Sequence, residues 1–226
     1  CCGYEHIKKI SLDLYNNMSS IESIINEKSN NFLSFIELNN NYFITSDISK
    51  KIRLWKMTKN KYFQNLNMIN DIEINLLYNI DNQTFIGYSD NDKKIIKYLI
   101  LKNDEIVKKN EISNISMNIE NNSIVKYDSD YLFINCEINS NLGIMIIKLD
   151  EFEIIKKISK MTPLYFINNY DEKERLITLD TNGLIQKWKF SKSENEIYEY
   201  DKIKIYNYSL LDRKLNDVIE INDNIF

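Results

Sequence analysis

Short runs of apolar residues alternate with polar turns along the whole chain. One set of runs, Lys9 to Leu14, Lys51 to Met57, Lys94 to Leu99, Gly143 to Leu149 and Leu184 to Phe190, is rich in β-branched and aromatic residues. Such runs read as strands. A second set precedes the last four of them: Tyr42 to Ser46, Thr84 to Tyr88, Tyr131 to Cys136 and Arg175 to Leu179. The two are separated by Asp, Asn, Ser, Lys or Gly, so each pair predicts a hairpin. Asn182-Gly183 is the clearest of these turns, because both residues tolerate positive φ. Earlier in each period come Phe32 to Leu38, Leu76 to Ile80, Ser123 to Tyr127 and Leu164 to Ile167. A fourth segment follows the hairpin, exemplified by Glu105 to Lys109, Phe152 to Ile158 and Tyr198 to Ile205.

The pattern repeats in residues as well as in polarity. Phe43 to Met57 overlays Leu176 to Phe190 without a gap, with six of fifteen positions identical and Trp55 falling on Trp188. A further copy, Phe85 to Tyr98, repeats the Ser-Asp and Lys-Lys pairs 43 residues after the first. Anchoring on the Trp column places equivalents at Asp13, Trp55, Tyr98, Ile147 and Trp188, at spacings of 42, 43, 49 and 41. Four strands per period of this length predict an all-β fold, a β-propeller of four-stranded antiparallel blades, with about five blades in this chain. Residues 1–226 read as one domain. Its repeats fall near 1–31, 32–74, 75–113, 114–160 and 161–215, with a partial one at 216–226.

Ile52-Arg53-Leu54-Trp55 and Ile185-Gln186-Lys187-Trp188 resemble the closing strand of WD40 repeats, which ends in hydrophobic-x-hydrophobic-Trp-Asp. The resemblance implies a buried hydrogen-bonded set in which the Trp meets a Thr of the preceding strand. The matching positions are Thr45 with Trp55 and Thr178 with Trp188, and the turn carries Ser49, Asp92 and Asn182. The family's His has no counterpart in any repeat, and Lys56 or Lys189 stands where the Asp should follow Trp. The repeats are degenerate, so blade stability is expected to rest more on apolar packing than on that network. A kelch or other propeller is the alternative.

The two ends share a register. Val218 to Phe226 overlays Phe35 to Phe43 with five identities in nine, and Cys1 aligns with Phe43 at the 42-residue offset. The expectation is a fragment of a larger array of about six to eight blades, in keeping with the absent initiator Met; the alternative is a five-bladed ring closed by pairing both termini.

Composition adds bounds. The chain of 226 residues is 43% apolar and 12% aromatic, enough for one large core. A net charge of −4 from 29 basic and 33 acidic residues gives no electrostatic footprint for nucleic acid or an anionic membrane. No run of about 18 apolar residues occurs and no signal-peptide pattern is present, so an intracellular protein, cytoplasmic or nuclear, without membrane insertion is expected. Cys1, Cys2 and Cys136 are too few for a disulfide framework and read as reduced thiols.

Candidate chemistry is sparse. His6 with Cys1 and Cys2 falls short of the four ligands of structural zinc, and adjacent cysteines seldom converge. Gly3, Gly87, Gly143 and Gly183 are isolated and form no phosphate loop. Arg53, Arg175 and Arg213 are isolated too, so the double-arginine phosphoinositide signature of lipid-binding propellers is missing. No catalytic residue, metal or cofactor is expected. Two columns remain as a possible interaction face. Asp47, Asp90 and Asp180, with Glu5 in the equivalent place, recur beside the hairpin turns, where the bland reading is a bond to turn backbone. Lys50, Lys51, Lys93 and Lys94, with Lys8 and Lys9, recur within those turns, where the bland reading is a solvated edge. The aromatics fall at strand positions and read as core rather than as a stacking platform for bases.

Stacked blades present a broad face of loops and commit no residue to catalysis, and the WD40 resemblance implies scaffolding in multi-subunit complexes. The expected function is a protein-protein interaction scaffold. The alternatives are an RNA-associated subunit of a processing or ribosome-linked complex and a rare hydrolytic propeller.

Overall fold

The computed structural model describes residues 6–13, 18–26, 31–39, 41–59, 63–117, 123–138, 141–158, 165–167, 176–179 and 184–204. They are arranged in two compact units, Cys1–Asn114 and Ile115–Phe226. No helix among the described residues is long and apolar enough to cross a membrane.

In the first unit, β1 (His6–Asp13) and β2 (Met18–Asn26) form an antiparallel pair. Next come β3 (Phe32–Asn39), β4 (Tyr42–Asp47), β5 (Lys51–Met57) and β6 (Phe63–Asn70), an antiparallel meander in chain order. The same meander is repeated by β7 (Leu76–Asn79), β8 (Thr84–Ser89), β9 (Lys94–Ile100) and β10 (Ile106–Ser113). Side chains alternate across the sheet, as strand geometry requires. Phe43 and Trp55 pair on one face, with Phe32, Phe35, Met57 and Phe63 around them. Ile44 and Leu54 point the other way and join Leu38, Ile52, Ile74, Leu77, Phe85 and Tyr98 in a core shared by the two meanders. Fully burying each such side chain contributes about 1.5–3 kcal/mol. β8 is buried at all of its positions, and Phe85 supplies its contribution to the shared core.

In the second unit, β11 (Ser116–Met117), β12 (Ile124–Lys126), β13 (Tyr131–Ile138), β14 (Asn141–Lys148) and β15 (Glu153–Ile158) form one sheet. The other is β16 (Tyr165–Ile167), β17 (Leu176–Leu179), β18 (Leu184–Ser191) and β19 (Glu196–Lys204). Phe190 joins the two, meeting the rings of Tyr127, Tyr131 and Phe133 edge-on at 5.8, 4.9 and 5.5 Å between centroids. Its backbone N–H donates to the Tyr127 hydroxyl at 3.2 Å.

The strands expected from the sequence are present among the described residues, several with ends shifted by one to three residues, and three differences stand out. β11 was not foreseen: β13 runs past the reach of β12, and Ser116 and Met117 pair with the remaining Glu137 and Cys136. Phe152 does not open β15 but sits in the preceding turn with φ of 52°, its ring buried. β10 continues past Lys109 to Ser113.

A bulge recurs at one place in each of these sheets, without a residue pattern to mark it. Leu66 is left unpaired opposite Leu54 and Trp55, Lys109 opposite Lys97 and Tyr98, Ile155 opposite Ile146 and Ile147, and Tyr200 opposite Lys187 and Trp188. Each lies beside an anchor of the Trp column and adds local twist to the outermost strand of its sheet. In β1–β2 the bulge leaves out Glu22, opposite Lys9 and Ile10, ahead of the Asp13 anchor.

Candidate functional site

The hairpin turns β4–β5 and β8–β9 are built alike. Lys50 and Lys93 both hold positive φ, 63° and 51°, a conformation that lets the chain reverse and re-enter the sheet. Asp47 and Asp90 precede them at the same distance in sequence, yet the two carboxylates lie in different surroundings.

Asp47 is fully buried and pairs with the Arg53 guanidinium, itself only 3% exposed. Its other oxygen accepts the Lys51 backbone N–H at 3.1 Å. The carboxylate thus closes its own turn and is withdrawn from the surface. Asp90 is out at the turn, 39% exposed, with the Lys93 ammonium at 2.6 Å and the Tyr88 hydroxyl donating at 3.0 Å. Those two donors, the lysine foremost, hold its carboxyl below the usual range. Lys94 pairs with Glu111 at 2.9 Å, and Lys108 reaches the same carboxylate at 2.7 Å. Flanked by two ammoniums, Glu111 is lowered to about 2. Ile48 stands 47% exposed at the tip of the first turn. Asp180, Asn182 and Gly183 lie outside the described residues, as do Glu5, Cys1, Cys2, Arg175, Arg213 and the terminal segment 218–226. Of His6, Lys8 and Lys9 only the strand is described.

The tryptophan pairs implied by the family resemblance are formed. The Trp55 indole N–H donates to Thr45 Oγ1 at 2.9 Å, and that of Trp188 donates to Thr178 Oγ1 at 2.9 Å. Tyr98 fills the same column in the next sheet, stacks on Phe85 at 4.9 Å and donates its hydroxyl to Asp71 Oδ2 at 2.8 Å. Burial, more than the nearby carboxylate, drives its pKa well above that of a free phenol. Asp92 accepts the Ser89 hydroxyl at 2.9 Å. Among the described residues no group of three His, Cys, Asp or Glu is placed to hold a metal.

At the opposite end of these sheets, where turns β3–β4, β7–β8 and β9–β10 come together, lies an open cleft of about 360 Å³. Leu38, Tyr42, Ile100 and Leu101 supply apolar surface, and Asn39, Asn82, Gln83, Lys102 and Asp104 supply polar groups. Lys56 stands over the Tyr42 ring at 5.1 Å from its centroid. The Tyr42 hydroxyl, and secondarily Asp104, raise the lysine's pKa. None of the residues lining the cleft is a candidate site residue on the sequence alone. Asp81-Asn82 and Asn103-Asp104 are recognisable turn dipeptides, but which turns meet at one end is a property of strand order.

No protein-family model matches the sequence, and no curated protein matches it significantly. Solved structures do resemble it. A protein from Lactobacillus plantarum aligns with a TM-score of 0.63 at 9% identity, over 86% of this chain and 64% of that one. A candidate 6-phosphogluconolactonase from Bacteroides fragilis aligns at 0.65 with 13% identity, over 88% and 65%. The β-propeller domain of Cps50 (Swd1) from Myceliophteria thermophila aligns at 0.55 with 12% identity, over 86% and 65%. The chain therefore spans just under two thirds of the length of the structures it matches. Identities this low establish the fold alone: an all-β propeller of four-stranded antiparallel blades.

Proposed function

We propose that the chain is a WD40-like propeller, residues 1–226 forming a single domain, that serves as a protein-protein interaction platform in an intracellular multi-subunit assembly. The WD40 reading is supported by the Trp–Thr bond recurring at 2.9 Å in two blades and by the likeness to the Cps50 (Swd1) domain. The observation that carries the platform reading is the fold itself, antiparallel sheets that repeat the same hairpin turns beside buried cores. The proposed contact surface is the β4–β5 and β8–β9 turns, comprising Lys50, Lys51, Lys93, Lys94, Asp90 and the exposed Ile48; Asp180, the third member of the expected column, lies outside the described residues. Asp47 belongs to it as a buried brace rather than as a contact. Purification of the tagged full-length protein from its native source tests this reading. A stoichiometric companion that is lost on reversing the charges of Lys50 and Lys93 is the expected result; recovery of the protein alone would remove it.

A second reading, a hydrolytic propeller, draws on the likeness to the Bacteroides protein and on the cleft in the first unit. Hydrolysis of 6-phosphogluconolactone by the purified chain at a rate above the spontaneous one would support it, and the spontaneous rate would remove it.

A further inference from the structure

The β4–β5 and β8–β9 turns share a sequence frame and end with different charge. Asp47-Ile48-Ser49-Lys50-Lys51 and Asp90-Asn91-Asp92-Lys93-Lys94 stand at matching positions. In the second turn each charged side chain has a partner: Asp90 meets Lys93 at 2.6 Å, Lys94 meets Glu111 at 2.9 Å, and Asp92 accepts the Ser89 hydroxyl at 2.9 Å. In the first, Arg53 draws Asp47 into the interior, where both are buried. Ile96 holds the matching place on β9 and carries no charge. Lys50 and Lys51 are left without a counter-ion, and neither ammonium makes an ion pair or a hydrogen bond among the described residues.

The described carboxylates that follow β6 are engaged elsewhere. The Asp71 backbone N–H donates to the Lys50 carbonyl at 3.0 Å, yet its side chain accepts the Tyr98 hydroxyl at 2.8 Å and the Ile72 N–H at 2.9 Å. Glu73 Oε1 accepts the amides of Asn75 and Asn91 at 3.2 and 3.1 Å. The turn itself is held in place. Asp47 accepts the Lys50 N–H on its carbonyl and the Lys51 N–H on its carboxylate, each at 3.1 Å, and the Ile48 N–H donates to the Asn31 carbonyl at 3.1 Å. Ile48, 47% exposed, and the exposed Ser49 and Lys50 are thus displayed on a fixed backbone.

Two features of this turn select an occupant. A pair of uncompensated ammoniums attracts anionic groups. The exposed Ile48 beside them gains from contact with an apolar side chain, which a nucleic-acid backbone does not offer, and the net charge of −4 gives a polyanion no wider attraction. We propose that the β4–β5 turn binds an acidic peptide segment of a partner protein, with carboxylates on Lys50 and Lys51 and an apolar side chain over Ile48, and that Arg53 sets this preference by neutralising Asp47. The proposal rests on the platform reading and narrows its surface to one turn.

The test is fluorescence anisotropy of the full chain at low salt with labelled heptapeptides, acetylated and amidated, in which a central Leu or Ser is flanked by Asp and Glu, by Asn and Gln, or by Lys and Arg. A labelled uridine heptanucleotide is the further probe. The acidic Leu peptide is expected to bind, the neutral and basic ones at least tenfold more weakly, and the acidic Ser peptide about threefold more weakly. Added salt should weaken binding. Lys50→Gln with Lys51→Gln should lower affinity about tenfold, as two exposed ion pairs predict. Ile48→Asn with Ser49→Asp, which copies the residue types of the second turn at exposed positions, should do the same with the melting temperature unchanged. Lys59→Gln with Lys109→Gln removes as much charge from exposed positions outside the turn and should leave affinity as it was. No binding of the acidic peptides, equal binding of the neutral Leu peptide, equal losses from the Lys50/Lys51 and Lys59/Lys109 pairs, or binding of the heptanucleotide as tight as that of the acidic Leu peptide would overturn the proposal. A native companion retained by the Lys50→Gln, Lys51→Gln chain while no acidic peptide binds removes the turn and leaves the platform, whereas absence of any companion removes the platform reading itself.

Discussion

Trp55 on β5 and Thr45 on β4 are joined by a side-chain hydrogen bond of 2.9 Å, with both residues buried. Replacing Thr45 by Val keeps the shape and removes the acceptor, leaving an indole N–H without a partner in the interior. The expected loss of stability is about 1–3 kcal/mol, read by urea denaturation. Thr178→Val should cost less, because Trp188 is only half-buried. Stability unchanged by Thr45→Val would mean that the bond is incidental to blade packing.

Asp47 and Arg53 pose a sharper demand. Both are buried, so truncating Asp47 to Ala removes the carboxylate that faces a buried guanidinium and also frees the Lys51 N–H. A loss of about 3–5 kcal/mol is expected. The double change Asp47→Leu with Arg53→Met removes both charges and should recover much of that loss. Additive penalties in this cycle would contradict a direct pairing.

Gly143 is tightly enclosed. A Cβ there would meet the carbonyl oxygen of Ile158, and Cδ1 of Ile138 at 2.8 Å. Backbone on the neighbouring strand has little freedom to move, so Gly143→Ala should cost about 1–3 kcal/mol. At Gly87 the nearest atoms are side-chain ones of Ile74 and Tyr98, at 3.0 to 3.1 Å, which have more room to shift. Melting temperatures should fall in the order wild type, Gly87→Ala, Gly143→Ala, and a reversal of the two variants would count against the register of β14 and β15.

Glu111 gives a pH signature. Its folded pKa is depressed from 4.5 to about 2 by Lys108 and Lys94, so its contribution is present above the ordinary carboxylate value and fades as pH falls through that window. The group is exposed, and salt should weaken the effect. Carboxyl NMR titration should place its midpoint well below that of a free glutamate, and the paired changes Lys94→Ala and Lys108→Ala should return it towards 4.5. A midpoint already near 4.5 in the wild type would show that neither ammonium holds it.

Much of the architecture was legible because strand spacing and turn residues are local signals. Tyr42 to Ser46 and Lys51 to Met57 read as a hairpin from their own composition, and β4 and β5 follow those limits closely. The Thr45–Trp55 and Thr178–Trp188 bonds followed from the family resemblance. The bulges were not legible, because Leu66, Lys109, Ile155 and Tyr200 share no residue type and bulging depends on the partner strand. Asp47 and Asp90 looked equivalent, since each follows Ser and precedes Lys-Lys. Their fates differ through their cross-strand neighbours: Asp47 has Arg53 within reach on β5, whereas the matching position on β9 is Ile96. The cleft depends on turns some forty residues apart, such as Asn39 and Asn82, meeting at one end of two sheets.

The most direct measurement of the repeated blade is amide and indole hydrogen exchange by NMR. The account predicts that the indole N–H protons of both Trp55 and Trp188 are protected, and that Thr45→Val and Thr178→Val each release only their own partner. Rapid exchange of either indole in the wild-type protein, or release of both by one substitution, would contradict the matching of Trp55 and Trp188 as equivalent positions of separate blades.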